Sequence, residues 1–268
     1  MTDYNLYRGS IFHCIENASN VEPVYFPDGL MVVSGGRIVE VGEYSELSSR
    51  YDSGDSIVHF KDSLIMPGFI DSHIHYPQYK VISSYGTSLL EWLNKYTFVE
   101  EQKFSDIDYA ARVAELFLDE LLKNGTTTAM TFCTSHKQSV DVFFNAAEKR
   151  NLRMIAGKVM MDRNAPDELC DDIESSYADS KSLIEKWHNK GRLSYAVTPR
   201  FAPTSTEGQL IQAAKLMKEY PNTKSDKGVL LQTHLNENSD EIAWVKELYP
   251  ESKNYFDVYD NLGLSGTN

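Results

Sequence analysis

The sequence predicts an α/β protein: a small all-β portion over residues 1–65, then a TIM-type (β/α)8 barrel over residues 66–268 with about five of its eight units present. Three observations predict it. Up to about residue 65 the apolar residues come in short runs broken by turn signals. From Leu64 onward short apolar runs alternate with helix-spaced stretches, the pattern of repeated βα units around a parallel sheet. Histidine, arginine and glutamate gather where those runs end, which is the side on which a parallel barrel builds its site.

Taken in order, Gly9–Ile15 and Gly29–Val33 are apolar runs, and Ser34-Gly35-Gly36-Arg37 followed by Ile38–Gly42 reads as strand, tight turn and strand. His13 and His59 lie here without ligand-like neighbours and read as surface or packing residues. Pro67-Gly68 then turns the chain into a strand opened by apolar Phe69 and Ile70, which read as its buried start, and closed by His73 and His75. Two residues apart on a period-2 backbone, these imidazoles point the same way and make half a site for a borderline divalent metal such as zinc.

A helix is predicted from Asp106 to Lys123, with Ser105 as N-cap, an apolar stripe of Ala110, Val113, Phe117 and Leu121, and Gly125 as its stop. Strand two is Thr126–Phe132. A helix from Val140 to Arg150 leads to strand Arg153–Met160, and an acidic irregular stretch leads to a helix ending near Lys190-Gly191. Strand four is Leu193–Phe201. Thr204 with Glu207 reads as a capping box for a helix through Lys218, and strand five is Gly228–His234, followed by a helix from Asp240 to Leu248 and an irregular Tyr- and Asn-rich stretch. Five open parallel strands would leave both sheet edges unpaired, so the count favours an incomplete barrel, with Leu262–Asn268 read as a loop about to enter a sixth strand.

Composition narrows the function. At a net charge of −13 the chain lacks the surplus of Lys and Arg that a phosphate backbone demands, so nucleic acid is not an expected partner. The first residues carry no secretory signal pattern and no apolar run is long enough to span a bilayer, so neither export nor a membrane is expected and the reading is cytoplasmic. Cys14, Cys133 and Cys170 are far apart and odd in number, which suits reduced, structural thiols.

The chemistry converges on one mouth: His73 and His75 from strand one, Arg200-Phe201 from strand four, and His234-Leu235-Asn236-Glu237 from strand five. Each has a bland alternative. His234 alone fits a hydrogen-bonded core histidine, Arg200 a surface charge, and Glu237 a cap for the helix after it. Glu237, three residues past a candidate ligand, is the candidate proton shuttle. His136 follows strand two in a polar loop with little claim on a substrate, and His188, in a charged helical stretch, reads as solvated.

Pro67-Gly68-Phe69-Ile70-Asp71-Ser72-His73-Ile74-His75 resembles the first-strand signature of the amidohydrolase superfamily, which implies a metal inside a (β/α)8 barrel beside a small β-sandwich. Within it, His75–Tyr79, Glu91–Phe98, Thr198–Phe201 and His234–Asn238 resemble the branch that deaminates guanine. That resemblance implies hydrolysis of guanine to xanthine and ammonia, one Zn2+ per subunit on His73, His75 and His234, and catalysis by Glu237 and His234. It implies a purine pocket lined by His75, Gln78, Trp92, Leu93, Arg200, Phe201, His234 and Glu237, and a homodimer. An Arg fork suits the O6 and N7 acceptors of guanine, Gln78 offers donor and acceptor on one amide, and Phe201 or Trp92 could cover a ring face. The branch's later histidine and aspartate ligand have no counterpart in these residues, and the N-terminal sheet would be one portion of a composite sandwich. Another amino-heterocycle as substrate, or a non-catalytic barrel that serves as an interaction partner, stays open.

Overall fold

Two long β-rich runs at the start of the chain pair along almost their whole length. β1 (Asn5–Asn17) and β2 (Asn20–Ser34) are antiparallel, β3 (Arg37–Glu43) adds to β2, and a later strand, Ile57–Ile65, lies parallel to β1 at the other edge. Gly35 and Gly36 join β2 to β3 with φ of 57° and 74°, the left-handed pair that a two-residue hairpin turn requires. The computed structural model describes residues 4–17, 20–51, 57–224 and 227–266, and the chain divides into two compact units, Met1–Gly68 and Phe69–Asn268. The all-β expectation for the first unit fails at α1 (Tyr44–Tyr51), whose Leu47 completes a core with Leu6, Leu30 and Val32. With only eight residues, that helix is too short to show its period. The strand Ile57–Ile65 is β4.

The second unit begins with β5 (Phe69–His75). A 3-10 turn (Tyr76–Val81), α2 (Leu89–Trp92), a π turn (Leu93–Thr97), α3 (Phe98–Glu101) and α4 (Ile107–Lys123) follow it. Next come β6 (Thr126–Phe132), α5 (Lys137–Lys149), β7 (Arg153–Gly157), β8 (Val159–Met160), α6 (Ile173–Trp187) and β9 (Ser194–Pro199). The unit ends with α7 (Glu207–Glu219), β10 (Leu230–Leu231), α8 (Ser239–Leu248) and α9 (Tyr255–Asp260). The strands form one parallel sheet of half-barrel type in the order β10-β9-β7-β6-β5, with β8 also on β9. Apolar stripes of α4, α5, α6 and α7 cover it, burying Phe117, Leu118, Phe143, Phe144, Leu183, Trp187, Leu210 and Leu216 among others.

Several sequence expectations are corrected by local hydrogen bonding. Asp106, not Ser105, caps α4: its carboxylate accepts from the N–H groups of Asp108 and Tyr109, while the Ser105 hydroxyl donates to the Gln102 carbonyl. Thr206, not Thr204, caps α7, because Thr204 closes a 3-10 turn. The strand expected through Met160 breaks at Lys158, whose N–H donates to the Tyr195 side-chain hydroxyl instead of to a backbone carbonyl of the neighbouring strand. Strand five shrinks to Leu230–Leu231, yet Gln232 N–H to Val197 O and His234 N–H to Arg200 O keep the chain alongside β9 to its end. Phe69 and Ile70 are exposed rather than buried, at 55% and 74%, since neither belongs to the apolar clusters that the described residues form around the sheet. The Tyr- and Asn-rich stretch holds a helix, α9, capped by Asn254.

Candidate metal centre and its pocket

His73 and His75 stand at the C-terminal end of β5, with ring centroids 5.3 Å apart. His234 joins them from beyond β10. Its ring is fixed from behind: Nδ1 lies 2.7 Å from the Arg200 carbonyl oxygen, which also accepts the His234 backbone N–H at 3.0 Å. A ring nitrogen this close to a carbonyl oxygen must carry the proton, so Nε2 of His234 presents a lone pair. That Nε2 lies 3.0 Å from Nε2 of His75, and one nitrogen from each of the three rings falls within 4.8 Å of the others.

Electrostatics keep the trio neutral. Burial, then the charge of Arg200, pushes His234 down to about 3, against its hydrogen bond to the Arg200 carbonyl. Burial, followed by His234, Arg200 and His73, holds His75 well below the ordinary histidine value, and burial also lowers His73. Neutral imidazoles are the metal-binding form, and ring nitrogens this close repel unless a proton or a cation lies between them. The three residues therefore fit a divalent metal with a preference for nitrogen donors.

Phe132, at the end of β6, lies under all three rings. The trio opens onto a cavity of about 380 Å³, inside the range of small-molecule sites (roughly 300–1,000 Å³). The 3-10 turn after β5 supplies Gln78 and Tyr79 to its wall, α2 supplies Leu89 and Trp92, and the π turn supplies Leu93. Trp92 is anchored by its indole N–H on the Ser84 carbonyl at 3.0 Å. Phe201 is buried beside Leu93, Phe98 and Phe132.

Arg200 lines the same cavity but is no surface charge. It is 2% exposed, and its Nη1 donates to both carboxylate oxygens of Glu101, itself 0% exposed, at 2.9 and 2.8 Å. Burial raises the Glu101 carboxyl and Arg200 opposes that rise. Any ligand contact of Arg200 must use its remaining donors.

Glu237 stands at the exposed rim. It does not cap α8, because Asn238 and Glu241 form the capping box there. Partial burial and the Glu241 carboxylate push the Glu237 carboxyl above its usual range, with Arg200 opposing. Asn236 makes the turn between His234 and this rim at φ 58°, a left-handed conformation that Asn tolerates.

Residues of this centre that escape sequence reasoning include Glu101, Phe132 and Tyr259, and Tyr79 and Leu89 in the cavity wall. The Tyr259 hydroxyl accepts from Ala202 N–H and donates to the His234 carbonyl, tying α9 to both flanks of the site. His136 does not line the cavity. His188 is half-buried rather than fully solvated: its Nδ1 accepts the Tyr195 N–H at 3.1 Å and its Nε2 sits 2.7 Å from the Lys227 carbonyl, so it pins the start of β9.

Residues 64–268 match the model of the amidohydrolase family. Guanine deaminase of Escherichia coli (strain K12) is 48% identical over 266 residues, a match covering 97% of this chain and 59% of that protein. The solved structure of E. coli guanine deaminase superposes with a TM-score of 0.90 at 46% identity, covering 98% of this chain and 60% of that one. A guanine deaminase from C. acetobutylicum, with guanine bound in its active site, gives a TM-score of 0.87 at 35% identity, covering 98% of this chain and 60% of that one. The chain thus spans 59% of the length of the first of these relatives. With the family model matched from the strand that carries His73 and His75 through the segment that carries His234, the chain belongs to the amidohydrolase family.

Proposed function

We propose that this chain carries the metal-binding and purine-binding part of a hydrolase that converts guanine to xanthine and ammonia. The observation that carries the reading is the meeting of His73, His75 and His234 at the mouth of a purine-sized cavity. It is supported by relatives and solved structures that are guanine deaminases, one with guanine bound. His73, His75 and His234 would hold one zinc ion through neutral ring nitrogens. When bound, such an ion supplies a Lewis acid that makes water nucleophilic near neutral pH.

The chain's own residues do the rest. Phe201, Leu93 and Trp92 cover the faces of the purine, and Gln78 hydrogen-bonds its edge. Arg200, steadied by Glu101, donates to the O6 and N7 side and leaves C2 facing the trio. Attack of water at C2 forms the new C–O bond and places charge on the neighbouring ring nitrogen, N3. Glu237, its carboxyl raised toward the working range, carries a proton from the water to N3 and a second to the amine, which leaves as ammonia as the C–N bond breaks and the C2 carbonyl forms.

In the same reading the parallel sheet belongs to a (β/α)8 barrel and the N-terminal sheet to a β-sandwich portion. The protein works as a cytoplasmic homodimer. No helix among the described residues is long and apolar enough to cross a membrane.

The test is ammonia release from guanine by the protein as expressed from its own gene, before and after chelation and after zinc is restored. Turnover that vanishes on chelation and returns with zinc is expected. Full turnover without metal, or zinc-loaded protein that binds no guanine, would overturn the reading.

A further inference from the structure

The three histidines are not held alike. His234 has its plane and tautomer set by the Arg200 carbonyl on Nδ1. Metal-binding histidines generally have such an outer partner, and losing it costs about 10–100-fold in metal affinity. His75 has none: its Nδ1 is buried and without a hydrogen-bond partner among the described residues. Something else must stop the ring from turning about its Cβ–Cγ bond.

Phe132 is positioned to do so. In the parallel register of β5 and β6 it is the partner of His75, and the two rings stack with centroids 4.4 Å apart and planes 9° from parallel. The same phenyl ring lies 4.4 Å from His234 and 5.1 Å from His73. It is fully buried, and Phe201, Phe98 and Leu93 pack around it, so it cannot swing away. A face-to-face contact restrains rotation of a flat ring as a hydrogen bond would, without fixing which nitrogen carries the proton.

We infer that Phe132 is a positioning residue of the metal centre, taking for His75 the orienting role that the Arg200 carbonyl takes for His234. The inference rests on the metal-binding reading of the trio. A branched or flexible apolar side chain at this position preserves the core but releases the His75 ring, so the site becomes less preorganised.

The experiment measures zinc affinity by competition with a chromophoric chelator for the unsubstituted protein, Phe132→Leu and Phe144→Leu. Phe144 is an equally buried phenylalanine that packs on Trp187, away from the trio. The expected result is zinc binding weakened at least ~10-fold in Phe132→Leu, unchanged affinity in Phe144→Leu, and lowered thermal stability in both. In the metal-free protein, nitrogen-15 spectra of His75 are expected to show a ring environment that is altered in Phe132→Leu alone. Should Phe132→Leu not fold, Phe132→Met keeps the apolar volume and serves the same comparison. Zinc affinity in the Phe132 variant equal to that of the unsubstituted protein would overturn the role of Phe132 and leave the metal reading standing. Failure of the unsubstituted protein to bind zinc would remove both.

Discussion

Arg200 and Glu101 sit in the wall of the cavity as an ion pair with almost no contact with water. Removing one member of such a pair leaves the other charged, buried and unpaired, which costs about 3–5 kcal/mol. Arg200→Ala is therefore expected to lower the denaturation midpoint as well as weaken guanine binding, and Arg200→Ala combined with Glu101→Leu should recover stability without recovering binding. Urea unfolding alongside a guanine titration checks both. Glu237 differs, since the cap of α8 does not need its carboxylate. Glu237→Gln should keep the metal content and the melting temperature while kcat falls about 10²–10⁴-fold, the usual contribution of a positioned proton donor; unchanged turnover would remove it from the mechanism. The histidines were legible because ligand-type residues at the ends of predicted strands must face one mouth. Glu101 was not, because nothing local to it reveals that Arg200, far along the chain, will bury against it.

Among the elements, the packing of β7 on β9 depends on Gly157, where an added Cβ would lie 1.7 Å from the Ala196 carbonyl oxygen. Backbone cannot yield as a flexible side chain does, so Gly157→Ala is expected to cost about 3 kcal/mol, at the upper end of the usual cost of overpacking, measured by equilibrium unfolding. The N-cap of α6 gives a pH prediction. Asp172 accepts from Ser175 and Glu174, and these hydrogen bonds, that of the Ser175 side chain foremost, hold its carboxyl below the ordinary value of 3.8. A depressed carboxyl stabilises the fold above its unfolded value, and the contribution disappears as pH falls through the folded value. Asp172→Asn should thus flatten the acid limb of the stability curve below pH 3.8 and leave the slope at neutral pH unchanged. Helices with long apolar stripes, such as α4, were readable from their period. The caps lie one and two residues beyond Ser105 and Thr204, which have the right chemistry but spend it on neighbouring turns. β10 is shorter than the strand the sequence predicts because Gln232, Thr233 and His234, though still alongside β9, bond to it only through isolated contacts such as Gln232 N–H to the Val197 carbonyl.

For the molecule as a whole, a ligand that binds only the folded state raises stability by mass action, about 2.7 kcal/mol when its free concentration is 100 times Kd. Zinc should raise the melting temperature of the unsubstituted protein, chelation should lower it, and His75→Ala should abolish the difference; calorimetry with and without zinc decides. The alternation of strands and helices made the parallel sheet legible from sequence. The placement of Phe132 and Tyr259 was not, since it depends on strand register and on a short helix inside a polar stretch. The group that steadies His234 is a main-chain oxygen of Arg200, which every amino acid at that position would supply. Exchange of the guanidinium, together with its acidic companion, would therefore leave the orientation of the imidazole behind it in place while lifting the charge that, after burial, helps hold that ring neutral, so aim and basicity at this position can be altered one without the other.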